Sequence, residues 1–235
     1  MTPPALGILG AGRQGSALAG LAVSAGLDVV LGNSRGPHTL AELVAELGPA
    51  ARAVTAAEVA ATAGIVVVAV PLHALPELPA TALAGRTVVD ATNYYPGWNG
   101  PIAELDAGAV TSSTLVQRRL PGAAVVKAFN TIDSRRLRSL ARPPGDPQRS
   151  ALPVAGDRAP AVDRVVGLHD RLGYDAVVVG GLDESGCIEP GTPAFGAPYR
   201  GPEPSDVDRA TWFAETPGVA VPAATLRALV GRAPR

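Results

Sequence analysis

Three glycines near the start of the chain have the spacing of a phosphate-binding turn. Gly10, Gly12 and Gly15 form the pattern GxGxxG, which follows an apolar run and opens a segment with helical spacing of apolar residues. In such a turn the first glycine permits the bend, the second lets backbone approach a pyrophosphate, and the third lets the helix pack on the strand. The free N–H groups of the helix start, beside Arg13 and Gln14, then face the phosphates. The sequence therefore predicts a dinucleotide site over these residues.

The end of the second apolar run distinguishes between two dinucleotides. Sheets that bind NAD usually place an Asp or Glu here, where it bonds the ribose 2′-hydroxyl. In this chain the run Asp28–Leu31 leads into Gly32, Asn33, Ser34 and Arg35, and none of these residues is acidic. Ser34 offers a hydroxyl, and the Arg35 guanidinium can bind a phosphate through two parallel hydrogen bonds. Arg35 could instead be a solvated loop charge, but the residue types favour NADP(H).

The ends of three later runs supply candidates for the redox half of the site. Ligands of parallel sheets sit beyond the carboxyl ends of the strands, so these ends are expected to meet. Neutral Asn and Thr side chains can bond a carboxamide or a ring carbonyl without adding charge beside a hydride path. For His73 a solvated or structural role is the alternative, and Asp90 is expected to hold its loop. The strand-end candidates are Val70, Pro71, Leu72, His73, Thr92, Asn93, Asn130, Thr131 and Ile132.

Lysine and cysteine each occur once in the chain. Lys127 is the only lysine and arginine supplies the other cations, which indicates that this position needs a compact ammonium, with a structural role favoured. Cys187 is the only cysteine, so it has no disulfide partner, and we expect an ordinary structural residue. Neither a metal-binding spacing nor a nucleophile with an acid–base pair is visible. No metal is therefore expected, and no catalytic residue is assigned.

Strands and helices alternate along the chain, which predicts parallel pairing with right-handed crossovers. A capping box at Thr55 and Glu58 predicts a further short helix, and residues 180–204 are expected to be irregular. The predicted strands are Leu6–Leu9, Asp28–Leu31, Ile65–Val70, Thr87–Asp90, Ala124–Phe129, Ala151–Val154 and Ala176–Val179. The other predicted helices are Ser16–Ala25, Pro37–Leu47, one capped by Ser112 or Ser113 that runs to Arg119, Ser134–Ala141, Pro160–Leu172, Ser205–Glu215 and Pro222–Val230.

These elements predict an α/β fold, a doubly wound and mostly parallel Rossmann sheet with a smaller C-terminal α/β extension. We expect residues 1–134 to form the NADP-binding domain. Residues 135–235 are expected to form the acceptor side and a dimer contact.

Charge and hydropathy limit the classes of partner. The net charge is −1 with no basic block, which argues against nucleic acid. The longest apolar run, Ile65–Val70, is far shorter than the roughly 20 residues of a membrane span. The residues Met1–Pro4 lack the charged start of a signal peptide, so a cytoplasmic location is expected. A small-molecule partner fits this composition best.

Eight segments together resemble the NADPH-dependent F-420 reductases, the 8-hydroxy-5-deazaflavin:NADP oxidoreductases. The resemblance spans Gly7 to about Phe195, and its most particular feature is VVKAFNT at Val125–Thr131 followed by the AGD and EPGTP segments. The other segments are GILGAGRQG, GNSR at Gly32–Arg35, AVPLHAL at Ala69–Leu75, VVDATN at Val88–Asn93, TSS at Thr111–Ser113, LPVAGD at Leu152–Asp157 and EPGTPAFG at Glu189–Gly196.

The resemblance implies a small homodimeric enzyme. It places NADP along the Gly10–Gly15 loop, with Ser34 and Arg35 on the 2′-phosphate. It also implies a cleft for the nicotinamide and the deazaflavin that is lined by Pro71, Leu72, Asn130, Ile132 and Ser134. A ferric-reductase domain of the transmembrane-antigen type shares the same core, so a flavin is the alternative hydride acceptor.

Three functions remain open from the sequence. The leading one is hydride exchange between NADPH and coenzyme F-420. A reductase of a small imine or carbonyl is the second, although such enzymes usually add a long helical domain and need a proton donor. A non-catalytic NADPH sensor is the third, and it would bind NADPH without oxidising it.

Overall fold

The computed structural model describes residues 6–203 and 205–233. Residues 1–5, on which the expected location depended, and Pro204, the end of the expected irregular segment, lie outside the described residues. The strands are β1 Leu6–Leu9, β2 Val29–Gly32, β3 Ala51–Ala53, β4 Ile65–Val68, β5 Thr87–Asp90, β6 Ala124–Ala128, β7 Ala151–Gly156 and β8 Asp175–Gly180. The α-helices are α1 Arg13–Ser24, α2 Ala41–Leu47, α3 Ala56–Thr62, α4 Ala80–Leu83, α5 Pro96–Asn99, α6 Ala103–Asp106, α7 Ser112–Arg119, α8 Ser134–Ser139, α9 Ala159–Arg171, α10 Ala197–Arg200, α11 Arg209–Glu215 and α12 Ala223–Val230. Short 3₁₀ helices cover Pro37–Leu40, Leu72–Glu77 and Asp183–Ile188.

The strands form one sheet in the order β3-β2-β1-β4-β5-β6-β7-β8. All neighbouring pairs are parallel except β6 and β7, which are antiparallel. The chain first builds outward from β1 through β2 to β3, and then crosses to β4 on the other side of β1. The strand order therefore reverses between β1 and β4, the position where open α/β sheets bind ligands.

Both faces of the sheet are covered. Successive residues of β1 alternate between the two apolar layers, with Ile8 in one and Leu9 in the other. Helices α1 and α9 fill the first layer with residues such as Leu18 and Val165, and α3 and α7 fill the second. Sheets buried on both sides need apolar residues at every strand position, which explains the continuous run in β4.

The doubly wound sheet expected from the sequence is confirmed, with local corrections. Strand β3 was not predicted, since its residues Ala-Arg-Ala give no apolar run. The expected cap of α7 at Ser112 or Ser113 is wrong: Thr111 is the N-cap and accepts from the Thr114 N–H at 3.2 Å. The capping box at Thr55 and Glu58 is present.

The C-terminal strands continue the same sheet. Strand β7 pairs with β6, and α12 packs on β7 and β8. The segment expected to be irregular contains the 3₁₀ helix Asp183–Ile188 and helix α10. The division into two domains near residue 134 stays a prediction. Within the described ranges no helix has the length and apolar character needed to cross a membrane.

Candidate functional site

The glycine turn between β1 and α1 has three glycines in three different environments. Gly10 has a φ of +101°, and a Cβ there would lie 2.4 Å from the Ala69 carbonyl oxygen. A Cβ on Gly15 would lie 1.8 Å from the Gly10 carbonyl oxygen, so α1 packs directly on the turn. Around Gly12 a Cβ would meet nothing within 4 Å. The bend and the packing thus require two glycines, while the third leaves open space above the backbone.

The loop after β2 is folded by Asn33. Its side-chain Oδ1 accepts from the Arg35 N–H at 3.0 Å, and its Nδ2 donates to Thr39 Oγ1 at 2.8 Å. This Asx turn is a common use of a short polar side chain in a tight loop. Ser34 and Arg35 are left exposed beside the glycine turn, and Arg35 makes no salt bridge with the described residues.

A cleft of about 250 Å³ joins these two loops. It lies over the point where the strand order reverses, because the ends of β1 and β4 are adjacent: the Ala69 N–H donates to the Leu9 carbonyl oxygen at 2.8 Å. Glu77 is the acidic residue of the lining. The lining residues are Leu9, Gly10, Ala11, Gly12, Gly32, Asn33, Ser34, Arg35, Ala56, Ala69, Val70, Pro71, Ala74, Glu77, Leu78 and Pro79.

The sequence predicted the part of this cleft formed by the glycine turn, by the Ser34–Arg35 loop and by Val70 and Pro71, but not the rest of its lining. It did not find the apolar wall made by Ala56, Ala74, Leu78 and Pro79. The signal that could have found this wall is the AVPLHAL segment, whose 3₁₀ helix contains Ala74. Helical spacing over so few residues is a weak indication of structure.

A second group of candidates meets at the ends of β5 and β6. The Asn93 Nδ2 donates to the Asn130 carbonyl oxygen at 3.0 Å, and the Asn130 Nδ2 donates to the Ile188 carbonyl oxygen at 2.8 Å. Thr131 is buried, and its carbonyl oxygen accepts from the Gly196 N–H at 2.8 Å. Within the described residues the buried Asn130 Oδ1 accepts no hydrogen bond. The strand ends are therefore joined to residues 188–196, and the Asn130 Oδ1 is among the buried polar atoms that are left without a partner.

Phe129 turns the chain at the end of β6. Its φ of +59° is in the left-handed region, which is rare for a side chain of this size. The Gln14 Nε2 holds this bend by donating to the carbonyl oxygens of Phe129 at 2.8 Å and Ile132 at 3.1 Å. The Phe129 ring stacks on the fully buried His169, with centroids 4.1 Å apart. The sequence predicted that Gln14 binds the cofactor, but its amide N–H groups donate to the backbone after β6.

Lys127 is the centre of a buried polar network. Its Nζ donates to Asp90 Oδ2 at 3.2 Å, to the Thr92 carbonyl oxygen at 2.7 Å and to Ser112 Oγ at 3.2 Å. Ser113 Oγ donates to the same Asp90 oxygen at 2.6 Å. Lys127, Asp90 and both serines are fully buried. The compact ammonium and the structural role expected of Lys127 agree with this geometry.

Glu189 attaches the C-terminal loop to this network. Its Oε1 accepts from both the N–H and the hydroxyl of Ser112, at 2.7 and 2.6 Å. The neighbouring Ile188 carbonyl is the acceptor for Asn130. Glu189 was not singled out from the sequence, and its partner Ser112 is 77 residues away, a pairing that no local pattern indicates.

The remaining candidates differ in how far they reach solvent. Arg13 and His73 are exposed, and His73 does not line the cleft beside Arg35. Leu72, Thr92 and Ile132 are buried, and Ser134 is half-buried at the start of α8. Burial raises the pKa of the half-buried Cys187 thiol, which is consistent with an unreactive residue.

The arrangement suits binding and orientation better than acid–base chemistry. Polar groups that face the redox half are amides, hydroxyls and backbone carbonyls, while the charged pair Lys127 and Asp90 is sealed below the surface. Hydride transfer between two bound rings needs that kind of scaffold, with the chemistry supplied by the cofactors.

The sheet order, the glycine turn and the acid-free end of β2 define a dinucleotide-binding Rossmann protein. A family model described as NADP oxidoreductase, coenzyme F-420-dependent, matches residues 5–94. A hypothetical protein from Sinorhizobium meliloti is 32% identical over 84% of this chain and 94% of its own, with a TM-score of 0.72. The chain belongs to the family of F-420-dependent NADP oxidoreductases, and its class of reaction is NADP-dependent oxidoreduction.

Other comparisons fit this membership. A protein from Arthrobacter sp. FB24, assigned as an F-420-dependent NADP reductase, is 28% identical over 75% of this chain and 84% of its own, with a TM-score of 0.62. An imine reductase from Myxococcus stipitatus shares the fold at 19% identity, over 77% of this chain and 56% of its own, with a TM-score of 0.54. No curated protein matches the sequence.

Proposed function

We propose that the chain transfers a hydride between NADPH and a deazaflavin coenzyme of the F-420 type. The observation that carries this proposal is the single cleft shared by the open Gly12 backbone and the acid-free Ser34–Arg35 loop. Membership of the family supports the redox class, and the deazaflavin is suggested by the descriptions of the family and of the Arthrobacter protein.

The pyrophosphate of NADP(H) would lie over the glycine turn. The space above Gly12 fits a group that must approach backbone closely, and the start of α1 offers unpaired N–H groups. Arg13, exposed in the first turn, is a further candidate for a phosphate contact. We retain Gly10, Gly15 and Gln14 as residues that shape this part of the site.

Ser34 and Arg35 would hold the 2′-phosphate. The guanidinium has no carboxylate partner among the described residues, so it is available to an anion. Glu77 also lines the cleft and its carboxylate would repel a phosphate, so Arg35 has to supply the attraction. Loss of one charge-assisted contact of this kind costs about 1.5–3 kcal/mol.

The nicotinamide would lie along the ends of β4 and β5. Val70 and Pro71 line the cleft, Leu72 and Thr92 are buried after the ends of β4 and β5, and His73 is exposed. Asn93 and Asn130 offer amide groups, and the unpaired Asn130 Oδ1 fits a carboxamide N–H donor. NADPH supplies the hydride when bound, and these residues orient the ring.

The acceptor would enter from the C-terminal side, beside the second group of candidates. Asn130, Thr131, Ile132 and Ser134 are proposed to line this half. The acceptor gains the hydride and one proton, and NADP⁺ remains. A flavin can take the same pair, so it is the alternative acceptor. A chain that bound NADPH without any transfer would be a sensor.

An anaerobic absorbance assay tests this function. The purified chain is mixed with NADPH and oxidised F-420, and the bands of both are followed. Loss of both bands supports the proposal. NADPH binding with an unchanged deazaflavin band removes F-420 as acceptor, and loss of the NADPH band with FMN then selects the flavin. No oxidation with either acceptor favours the sensor.

Replacing Arg35 tests the cofactor preference. We expect Arg35→Ala to raise the Kd for NADPH about 10- to 100-fold, because a charge-assisted phosphate contact is lost, and to leave the weak Kd for NADH within about twofold. Arg52→Ala is the matched control, since Arg52 is an exposed arginine on β3 that does not line the cleft. Equal losses for NADPH and NADH would contradict the assignment of Arg35.

The proposed homodimer and cytoplasmic location need separate measurements. Light scattering during size-exclusion chromatography gives the mass in solution, and fractionation of the source cells gives the location.

A further inference from the structure

Trp98 is unusual among the large apolar side chains of the described residues because it is 81% exposed. Its ring lies 5.2 Å from the Tyr95 ring, with the planes tilted by 51°. The turn that presents it is well held: the Tyr95 N–H donates to Asn99 Oδ1 at 2.8 Å, and the Trp98 N–H donates to the Tyr95 carbonyl oxygen at 2.9 Å. The backbone of the turn is therefore held, and the indole that it carries is open to solvent.

The aromatic pair follows directly on the end of β5 and the Asn93 side chain of the proposed redox half. Tyr95 follows Asn93 by two residues, and Asn93 is tied to the end of β6 through the Asn130 carbonyl. Tyr95 is itself half-buried, while the Trp98 side chain is open to solvent.

Arg200 reaches the same region from the C-terminal segment. Helix α10 follows Gly196, whose N–H donates to the Thr131 carbonyl oxygen at 2.8 Å. The guanidinium lies against Gly196, since a Cβ there would be 2.9 Å from Arg200 Nη1. Within the described residues no carboxylate lies at salt-bridge distance from Arg200. Burial raises the pKa of Tyr95 and the Arg200 charge partly opposes this, which agrees with their closeness.

We infer that Tyr95, Trp98 and Arg200 form an acceptor subsite that binds a planar conjugated ring with an anionic tail. The two aromatic rings provide stacking surface, and the unpaired guanidinium binds a phosphate or carboxylate on the tail. This inference rests on the proposed function, because it concerns the acceptor of the same hydride transfer. It adds the residues that recognise the planar ring of the acceptor and the negative charge of its tail.

Two flavins that differ only in charge separate the parts of the subsite. FMN and riboflavin share one ring, and only FMN carries a phosphate. Each is titrated with the whole protein in the presence of NADP⁺, by calorimetry and by tryptophan emission. The chain has two tryptophans, Trp98 and Trp212, so the same titration of Trp98→Phe separates the quenching of Trp98 from that of Trp212. Oxidised F-420, with its own anionic tail, is titrated in the same way.

The subsite predicts different effects for the two kinds of variant. Arg200→Gln should weaken FMN and F-420 about tenfold or more and leave riboflavin within twofold. Trp98→Ala should weaken all three ligands about tenfold, and Trp98→Phe should recover most of the loss. Arg171→Gln, an exposed arginine at the end of α9, should change nothing.

Several outcomes would overturn the subsite. An unchanged ratio of FMN to riboflavin affinity in Arg200→Gln removes the charge recognition, and unchanged affinities in Trp98→Ala remove the stacking. Failure of all three probes to bind also removes it. A lower dimer content in Trp98→Ala with unchanged ligand binding would reassign Trp98 to a contact between copies.

The hydride assay fails or succeeds separately. Binding with the expected pattern but no oxidation of NADPH removes the proposed transfer and leaves the subsite in place. Turnover with F-420 together with unaltered ligand binding in both variants supports the proposed transfer and removes the subsite.

Discussion

Gly12 and Gly15 lie three residues apart, and the same substitution would meet different surroundings at each. At Gly12 the φ is −77° and a Cβ enters open space, so alanine is sterically allowed in the free protein. At Gly15 a Cβ collides with the Gly10 carbonyl oxygen. One glycine is therefore free for a ligand, and the other is needed by the fold.

Alanine at these two positions should separate binding from stability. Gly12→Ala is expected to unfold in urea within about 1 kcal/mol of the wild type, while its Kd for NADPH rises at least about tenfold, because the methyl group occupies the pyrophosphate approach. Gly15→Ala should lose about 3 kcal/mol of stability, at the upper end for overpacking. Full NADPH affinity in Gly12→Ala would mean that the pyrophosphate does not lie over this turn.

His169 links a single buried ring to pH. Burial lowers its pKa from 6.5 to about 4, so the native ring stays neutral where an unfolded chain already takes up a proton. The contribution of His169 to the free energy of unfolding is therefore fully present above pH 6.5, and it is lost as the pH falls from 6.5 toward 4. The full difference corresponds to about 3 kcal/mol.

Replacing the ring should remove that part of the pH dependence. His169→Phe keeps an aromatic stack on Phe129 and cannot be protonated, so its urea midpoint should fall less than that of the wild type between pH 6.5 and 4.5. His73→Gln, at an exposed position, should follow the wild type. Parallel curves for His169→Phe and the wild type would show that the ring titrates normally in the folded protein.

At the scale of elements, the buried Lys127 network joins strands β5 and β6 to α7 and to the loop before α10. Removing one partner of a buried charge pair leaves the other unpaired, which typically costs about 3–5 kcal/mol. We expect that loss for Lys127→Met, measured by urea unfolding. Adding Asp90→Asn should return part of the stability, because the uncompensated carboxylate is gone. A double variant that is less stable than Lys127→Met would show that Asp90 does not depend on the ammonium.

The sequence predicted elements where local pattern decides them, and missed what depends on distant partners. The apolar run of β4 and the turn at Gly10 can be recognised from the residues alone. Burial on both faces of the sheet restricts β4 to apolar residues, and the close approach of neighbouring backbone restricts the turn to glycine. Strand β3 pairs in register with Val29–Leu31 of β2, and no local pattern in its residues Ala-Arg-Ala indicates this pairing. Gln14 looked like a cofactor ligand, yet its acceptors lie 115 and 118 residues away.

On the scale of the whole molecule, the C-terminal tail completes the sheet. The Ala151 N–H donates to the Val221 carbonyl oxygen at 2.7 Å, and the Val221 N–H donates to Ser150 Oγ at 3.1 Å. Helix α12 then packs on β7 and β8 and buries Leu226 completely. The segment thus covers apolar surface at the β7–β8 edge of the sheet, away from the glycine turn at the end of β1.

Truncating Leu226 should lower stability without affecting the nucleotide site. We expect Leu226→Ala to lose about 2–5 kcal/mol in urea unfolding, because a fully buried side chain leaves a cavity. Thr225→Ala, one residue earlier and exposed, should stay within about 0.5 kcal/mol. At a temperature where Leu226→Ala remains folded, its Kd for NADPH should match the wild type, since the cleft is built on β1, β2 and β4. A weakened Kd in the folded variant would mean that the far side of the sheet and the glycine turn are coupled, and the two halves of the chain would then have to be treated as one binding unit.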